Sequence, residues 1–546
     1  MNSATQIPPL VQLAPHHEVL RSRTMPDALL RLAKHRRDSL ALQEIEGLQR
    51  SLTWGELHEL VERVRSGLER AGLRAGERVG VLLRNQIEFP VVWLAVMSAG
   101  AAIVPLNPKY TTREVEALLR DADAAWLIGA TDLLLPHFAT QSVGGVDLAQ
   151  VIAVGTPRAT ESSEQFSPGW AFADISEAPL TKALHIGSPL DVVNIQFTSG
   201  TTGLPKGCLL THEYWIELGV HSAAAYGDPQ RYLADFPFYY MQNQAYFAMA
   251  LASGGALYIA PGLSRRKMMG WLLDCEIDFA WVSEEMLQFE ISEADSRLAL
   301  RYAPVAGMPA SAYGKLRERF GIEARESYAS TEVGSAIGVP RERLELAGTG
   351  TMGACLPNRQ SKVVGADLRE VPPNTPGELC IRGRGMMLGY HNRPEANADL
   401  FLPGGWFRTG DIVTKTEDGL HYFVGRAKDM IRRSGENISA VEVEMHLLGM
   451  DGVNEVAVIP VQDEERGEEA KAIVVRSALS IEVADLVDWA KTGLAPFKVP
   501  RFFEFRSELP RTESGKVAKA TLKAEPAMHS GVVDTRAGIR TERKIQ

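Results

Sequence analysis

The feature that most constrains this chain is a run of glycines and hydroxyls at residues 197–207, Phe-Thr-Ser-Gly-Thr-Thr-Gly-Leu-Pro-Lys-Gly, directly after the strand-like stretch 192–196. A loop of this kind at a strand exit offers backbone N–H and side-chain O–H groups to an anion. Its glycines allow close approach, and Lys206 adds a positive charge. A polyphosphate is the ligand that suits it, with Thr198, Ser199, Gly200, Thr201, Thr202, Gly203 and Lys206 as candidate contacts. The string is not a Walker P-loop, because Gly-x4-Gly-Lys-Ser/Thr is absent from it. The alternative is a flexible Gly/Thr surface turn, and the string alone does not separate the two.

The surroundings predict an α/β fold. Leu57, Leu60, Val61, Val64 and Leu68 recur at helical spacing over 53–68, with Thr53 and Glu56 forming a capping-box pattern. Strands are expected at 78–83, 102–106 and 125–128, and helices at 91–99 and 112–121. This alternation implies mostly parallel sheet flanked by helices. Beyond about residue 425 the texture changes to a small α+β unit: helices over 440–448 and 483–491, and strands over 453–461, 470–475 and 501–505. The expected division is a large N-terminal domain, 1–428, and a small mobile C-terminal domain, 429–546, with the boundary at Asp429. The polar tail after Glu525 is expected to be loose.

Composition narrows the class further. A length of 546 residues argues for more than one domain, and 45% apolar with 23% charged residues is ordinary for a globular protein. Asp plus Glu outnumber Lys plus Arg by 68 to 58, which disfavours a dedicated nucleic-acid binder. Cys208, Cys275, Cys355 and Cys380 lie far apart without a CxxC pair, so neither a zinc cage nor a disulfide framework is suggested. The apolar stretch 89–106 is interrupted by Pro90, Ser98, Gly100 and Pro105 and falls short of the roughly 20 residues of a membrane span. With His16, His17 and Glu18 where a signal peptide needs an apolar run, a cytoplasmic location is expected.

Five motifs in order resemble those of the adenylate-forming superfamily of acyl-CoA synthetases, adenylation domains and luciferases. They are the 197–207 string; Tyr328-Ala-Ser-Thr-Glu332; Arg408-Thr-Gly-Asp411; Gly425-Arg-Ala-Lys-Asp429 with Ser434-Gly-Glu-Asn437; and Pro510-Arg-Thr-Glu-Ser-Gly-Lys516. The resemblance spans roughly residues 25–525, and its texture is most like the crotonobetaine/carnitine-CoA ligase and medium-chain synthetase branch.

The resemblance implies roles that make physical sense for joining a carboxylate to the α-phosphate of ATP, where two anions must meet. Lys516 would stabilise charge between them as the catalytic lysine, with Thr331 donating to the α-phosphate. Glu332, with Thr202, would hold Mg2+. Tyr328 offers a face to adenine beside Gly307, Asp411 accepts the ribose hydroxyls, and Arg426 reaches ribose or phosphate. Asp429 would be the hinge, and the Gly435 loop would line the CoA tunnel. Tyr240 stands where the family often has the His of Pro-x-x-His, so a histidine's gating role does not carry over. Tyr240, Gln244 and Met308 are the candidate acyl-pocket residues.

The activity so implied is an ATP-dependent acyl-CoA synthetase, working through an acyl-adenylate with ATP, CoA, Mg2+ and a carboxylic acid. The rivals are an enzyme that loads a carrier protein and a non-catalytic adenylate-binding relative. An NAD-dependent dehydrogenase would need Gly-x-Gly-x-x-Gly at the first strand-helix turn, which is lacking. Partners expected are these substrates, a homodimer as one open assembly state, and a lysine acetyltransferase acting on Lys516. No nucleic acid or integral membrane segment is expected.

Overall fold

The computed structural model describes residues 22–138, 140–155, 166–181, 187–198, 205–427, 430–433, 436–463, 465–477, 481–512 and 516–536. Packing divides the chain into two units, Met1–Ser361 with Ile381–Phe407, and Lys362–Cys380 with Arg408–Gln546. Residues 408–427 thus pack with the C-terminal part. They are tied to 362–380 by the Arg408–Glu378 ion pair at 2.6 Å and by the Thr409 hydroxyl donating to the Leu379 carbonyl. Asp429, the expected boundary, lies outside the described residues.

In the first unit a seven-stranded sheet runs in the order Lys206–Thr211, Val192–Thr198, Ala102–Pro105, Arg78–Leu82, Trp126–Ala130, Val151–Val154, Trp170–Ala171. Every neighbouring pair is parallel except the first. The helix Trp54–Ala71 starts on the expected capping box and stops at Gly72, whose φ of 113° is open to glycine. The helix Glu88–Ser98 is buried along its whole length except at Glu88, which explains its unbroken apolar sequence. Pro90 is accommodated in its first turn. Leu82, Val104, Val115, Leu118, Leu119 and Leu127 seal the helix Thr112–Asp121 against the sheet.

A second sheet orders Arg231–Ala234, Ala256–Ile259, Leu40–Glu44 and Ser51–Thr53. In a third group Tyr302–Val305 and Glu323–Ser330 are parallel, joined through the helix Ala310–Phe320. Gly334–Gly338 and Thr351–Cys355 then extend the group antiparallel. These elements bear out the mostly parallel α/β reading. Among the described residues no helix is long and apolar enough to cross a membrane.

The second unit centres on the antiparallel pair Val453–Asp463 and Gly467–Arg476, with Phe502–Arg506 parallel to the latter and the helices Ala440–Leu448 and Val483–Gly493 packed on a common apolar core. A buried pair, Lys471 to Glu504 at 2.7 Å, links two of these strands. The tail after Glu525 departs from expectation: Val532–Asp534 forms a further strand, antiparallel to Phe502–Arg506. Arg501 grips Asp534 through two bonds of 2.9 and 2.8 Å, a long-range pairing that fixes a segment with little hydrophobic pattern of its own.

Candidate active site

The glycine-rich string emerges from an antiparallel hairpin in which Thr198 pairs with Lys206. The Thr198 hydroxyl donates to the Lys206 carbonyl at 3.4 Å. Ser199, Gly200, Thr201, Thr202 and Gly203 lie outside the described residues. The segment 387–391 runs beside the returning strand: the amides of Leu388, Leu209 and His391 donate to the carbonyls of Leu209, Gly389 and Gly207. Gly389, at φ 144°, takes a conformation that favours glycine at this approach, and a Cβ there would press on the Asn397 carboxamide at 3.1 Å.

The alignment brings Tyr390 under Lys206, whose Nζ lies 5.1 Å from the ring centroid. The Tyr390 hydroxyl donates to Glu332 Oε1 at 2.8 Å. Burial, then the Glu332 charge, pushes the phenol well above its usual range and keeps it a donor. Thr331 and Glu332 occupy the turn between Ser330 and Gly334. Cys208, in the same strand as Lys206, is fully buried, and burial raises its thiol well above the ordinary value, so it is no nucleophile.

Tyr390 was not anticipated from the sequence. The only local signal is a Gly-Tyr step after the run Met386-Met-Leu388, too short to single out.

Gly307 turns the chain at φ 66° between Val305 and the helix Ala310–Phe320. Its amide donates to Glu326 Oε2 at 3.3 Å, and the Tyr313 hydroxyl donates to the other oxygen of the same carboxylate. Burial raises the pKa of Glu326, with the bonds from Tyr313, Gly307 and Met308 opposing. Glu326 and Tyr328 lie two residues apart on Glu323–Ser330, on one face of that strand. Met308 is buried within the core that includes Val305, Tyr313 and Leu316.

Tyr240 precedes the helix Met241–Ser253, half-buried, its ring 4.6 Å from that of Tyr239. Gln244 is fully buried and braced on every side. Its Nε2 donates to Gln196 Oε1 at 3.1 Å and to the Phe238 carbonyl at 2.7 Å, while its Oε1 accepts from Asn194 at 2.9 Å. Asn194 in turn accepts from the Trp93 indole at 2.6 Å. Gln244 therefore ties the helix to the strand that launches the glycine-rich string.

In the second unit Asp411 and Arg426 face each other in adjacent antiparallel strands, with Arg426 Nε 3.2 Å from the buried Asp411 Oδ1. The Thr512 amide donates to the Lys516 carbonyl at 2.7 Å, closing the loop that carries the lysine. The Lys516 side chain is exposed at its surface yet crowded. Desolvation first, then the Arg426 charge, holds its pKa below the lysine norm, with Asp411 opposing. Lys516, Arg426 and Asp411 are thus within one another's field. Asp429 and Gly435 lie outside the described residues.

A magnesium ion fits the donors present. Tyr390 engages Oε1 of Glu332, no other side-chain bond to this carboxylate is made among the described residues, and Mg2+ typically takes one or two carboxylates plus phosphate oxygens. Among the described residues no group of three His, Cys, Asp or Glu could hold a metal alone.

The hairpin that flanks the glycine-rich string is joined through Tyr390 to the Glu332 carboxylate, and comparison with known proteins names the class. Residues 30–391 match the family described as AMP-binding enzyme, and 442–516 match the AMP-binding enzyme C-terminal domain. The chain belongs to the AMP-binding enzyme family. A crotonobetaine/carnitine–CoA ligase of Salmonella arizonae is 29% identical over 89% of this chain and 95% of its own. A long-chain-fatty-acid–CoA ligase of Escherichia coli is 29% identical over 85% and 88%. Among solved structures, ATP-bound MatB from Rhodopseudomonas palustris aligns with TM-score 0.80 at 24% identity, covering 91% and 98%. The o-succinylbenzoate CoA synthetase of Bacillus subtilis with its acyl-adenylate aligns at 0.78 and 23%, covering 91% and 98%.

Proposed function

We propose that the chain is an ATP-dependent acyl-CoA synthetase, converting a carboxylic acid, ATP and CoA to acyl-CoA, AMP and pyrophosphate. The observation that carries this reading is the Arg426–Asp411 pair at 3.2 Å in the same unit as the closed loop that bears Lys516, since a ribose acceptor, a phosphate-reaching arginine and a mobile cation are what one acyl-adenylate needs. The CoA ligases among its relatives support CoA as the acceptor.

In the first half-reaction a carboxylate oxygen of the acid attacks the α-phosphorus, the bond to the β-phosphate breaks and pyrophosphate leaves. Lys516 offsets the charge gathered between the two anions, Thr331 donates to the α-phosphate, and Lys206 with its glycine-rich loop holds the departing phosphates. A magnesium ion held by Glu332, with Thr202 as a second ligand, would neutralise phosphate charge. Tyr328 and the Gly307 turn take the adenine. In the second half-reaction the CoA thiolate attacks the acyl carbonyl carbon and AMP departs. The C-terminal domain from 429 turns about Asp429 between the two, and the Gly435 loop lines the thiol's path. Tyr240 and Met308 border the acyl group, while Gln244 positions rather than contacts it.

Pyrophosphate release across a panel of carboxylic acids, with and without CoA, tests this. Acid-dependent release that becomes multiple-turnover only with CoA supports it. Release that ignores the acid, or no thioester with CoA, overturns it.

A further inference from the structure

We propose that Asp235 and Asn243 form the floor of a subsite for a positively charged, N–H-bearing end of the acid substrate, such as a primary ammonium or a guanidinium. The inference rests on the acyl-CoA synthetase reading and adds what the acid carries at its far end.

Asp235 follows the strand Arg231–Ala234, which runs parallel to Ala256–Ile259, so it stands at the carboxyl end of parallel strands, where open sheets gather their ligands. It is only 3% exposed. Among the described residues its Oδ1 has no hydrogen-bond partner, and no lysine, arginine or histidine pairs with the carboxylate. The local amides of Asp235 and Phe236 are the donors it does have, and burial outweighs them, lifting its pKa to about 7.

A second orphan acceptor belongs to the next element. Asn243, fully buried on the helix Met241–Ser253, spends its amide nitrogen on the carbonyl of Phe236, the residue after Asp235. Among the described residues its Oδ1 has no donor. The turn between them is held rigid by Asn85, whose Nδ2 donates to the Phe236 carbonyl at 2.7 Å and whose Oδ1 accepts from the Phe238 amide at 3.0 Å. One helical turn beyond Asn243, Tyr246 feels the Asp235 charge and meets Phe279 edge-on at 5.0 Å, and Tyr226 meets the same ring at 5.0 Å.

Two deeply buried acceptor oxygens, one of them on a carboxyl that burial resists ionising, are costly unless something supplies donors. A cation bearing N–H groups supplies both donors and charge, and the aromatic neighbours favour it further. A quaternary ammonium brings charge without donors and satisfies neither oxygen. A neutral alkyl end satisfies nothing.

The test compares caproic acid, aminocaproic acid, guanidinocaproic acid and the trimethylammonio analogue of aminocaproic acid as substrates for pyrophosphate release. The same four serve as ligands in thermal shift, with the parent and with Asp235→Asn and Asp235→Leu. The expected result is at least a tenfold higher kcat/KM for the amino or guanidino acid than for caproic acid, with the trimethylammonio acid behind both. The ratio should collapse by about tenfold or more in either variant, and the cation-induced rise in Tm should disappear with it. Equal use of caproic and aminocaproic acids, or a ratio indifferent to both substitutions, overturns the subsite and leaves the synthetase reading intact; a site filled by ordered water or by a shared proton would behave this way. If none of the four is turned over, pyrophosphate release across the wider panel of acids decides the synthetase reading, and the thermal shift still decides the subsite. A shift by aminocaproic acid that both variants lose sustains it, and no shift ends it.

Discussion

Tyr390 donates its hydroxyl to the Glu332 carboxylate at 2.8 Å while its ring lies 5.1 Å beneath the Lys206 ammonium. One residue thereby joins the hairpin that flanks the glycine-rich string to the turn that carries Glu332, the candidate metal ligand.

Tyr390→Phe should keep the ring under Lys206 and remove only the bond to Glu332. A hydrogen bond to a charged group contributes about 1.5–3 kcal/mol, so the Mg2+ dependence of pyrophosphate release should weaken by roughly tenfold to a hundredfold on the same scale. Titration of activity with Mg2+ at saturating ATP checks this. An unchanged Mg2+ midpoint would separate Tyr390 from the metal turn.

Gln244→Leu should act on stability rather than on acid choice. It strands Asn194, Gln196 and the Phe238 carbonyl without their partner, at about 1–3 kcal/mol for a buried group left unsatisfied. Urea unfolding should show a lowered midpoint, and the ranking of acids should stay the same. A reordered ranking at unchanged stability would make Gln244 a substrate contact.

The pH dependence of stability offers a readout of Asp235 that needs no substrate. Burial raises its carboxyl from 3.8 to about 7, so the folded state binds the proton more tightly than the unfolded state. Its contribution is therefore fully present below the unfolded pKa and is lost as pH rises through the folded one. Asp235→Asn removes that dependence. The variant's stability relative to the parent should rise between about pH 4 and pH 7 and level off above, by urea unfolding at each pH. A difference flat across that window would mean the carboxylate is solvated or paired.

Much of this was legible because it is local. The Thr53–Glu56 capping box, the Gly100 break inside the apolar run 89–106 and the Asp411 and Lys516 motifs are patterns a few residues long. The structure realises the first two as a capped helix and as a left-handed turn at φ 75° between helix and strand. What stayed hidden depends on partners far away in the chain. Val532–Asp534 is ordered through Arg501, and the bonds of Gln244 to Asn194 and Gln196 join residues about fifty positions apart. Tyr390 acquires its role only from Glu332, 58 residues earlier. Asp235 looks like an ordinary strand-end acid, and its isolation becomes visible only once burial and the missing donors are known.

The central claim is that this chain makes an acyl-adenylate and that Lys516 serves that step. Exchange of labelled pyrophosphate into ATP, driven by an accepted acid in the absence of CoA, isolates the step. Thioester formation from pre-formed acyl-AMP and CoA isolates the other. The account predicts that Lys516→Ala nearly abolishes the exchange while thioester formation from acyl-AMP proceeds at close to the parent rate. Equal loss in both, or exchange that survives without the lysine, would contradict it.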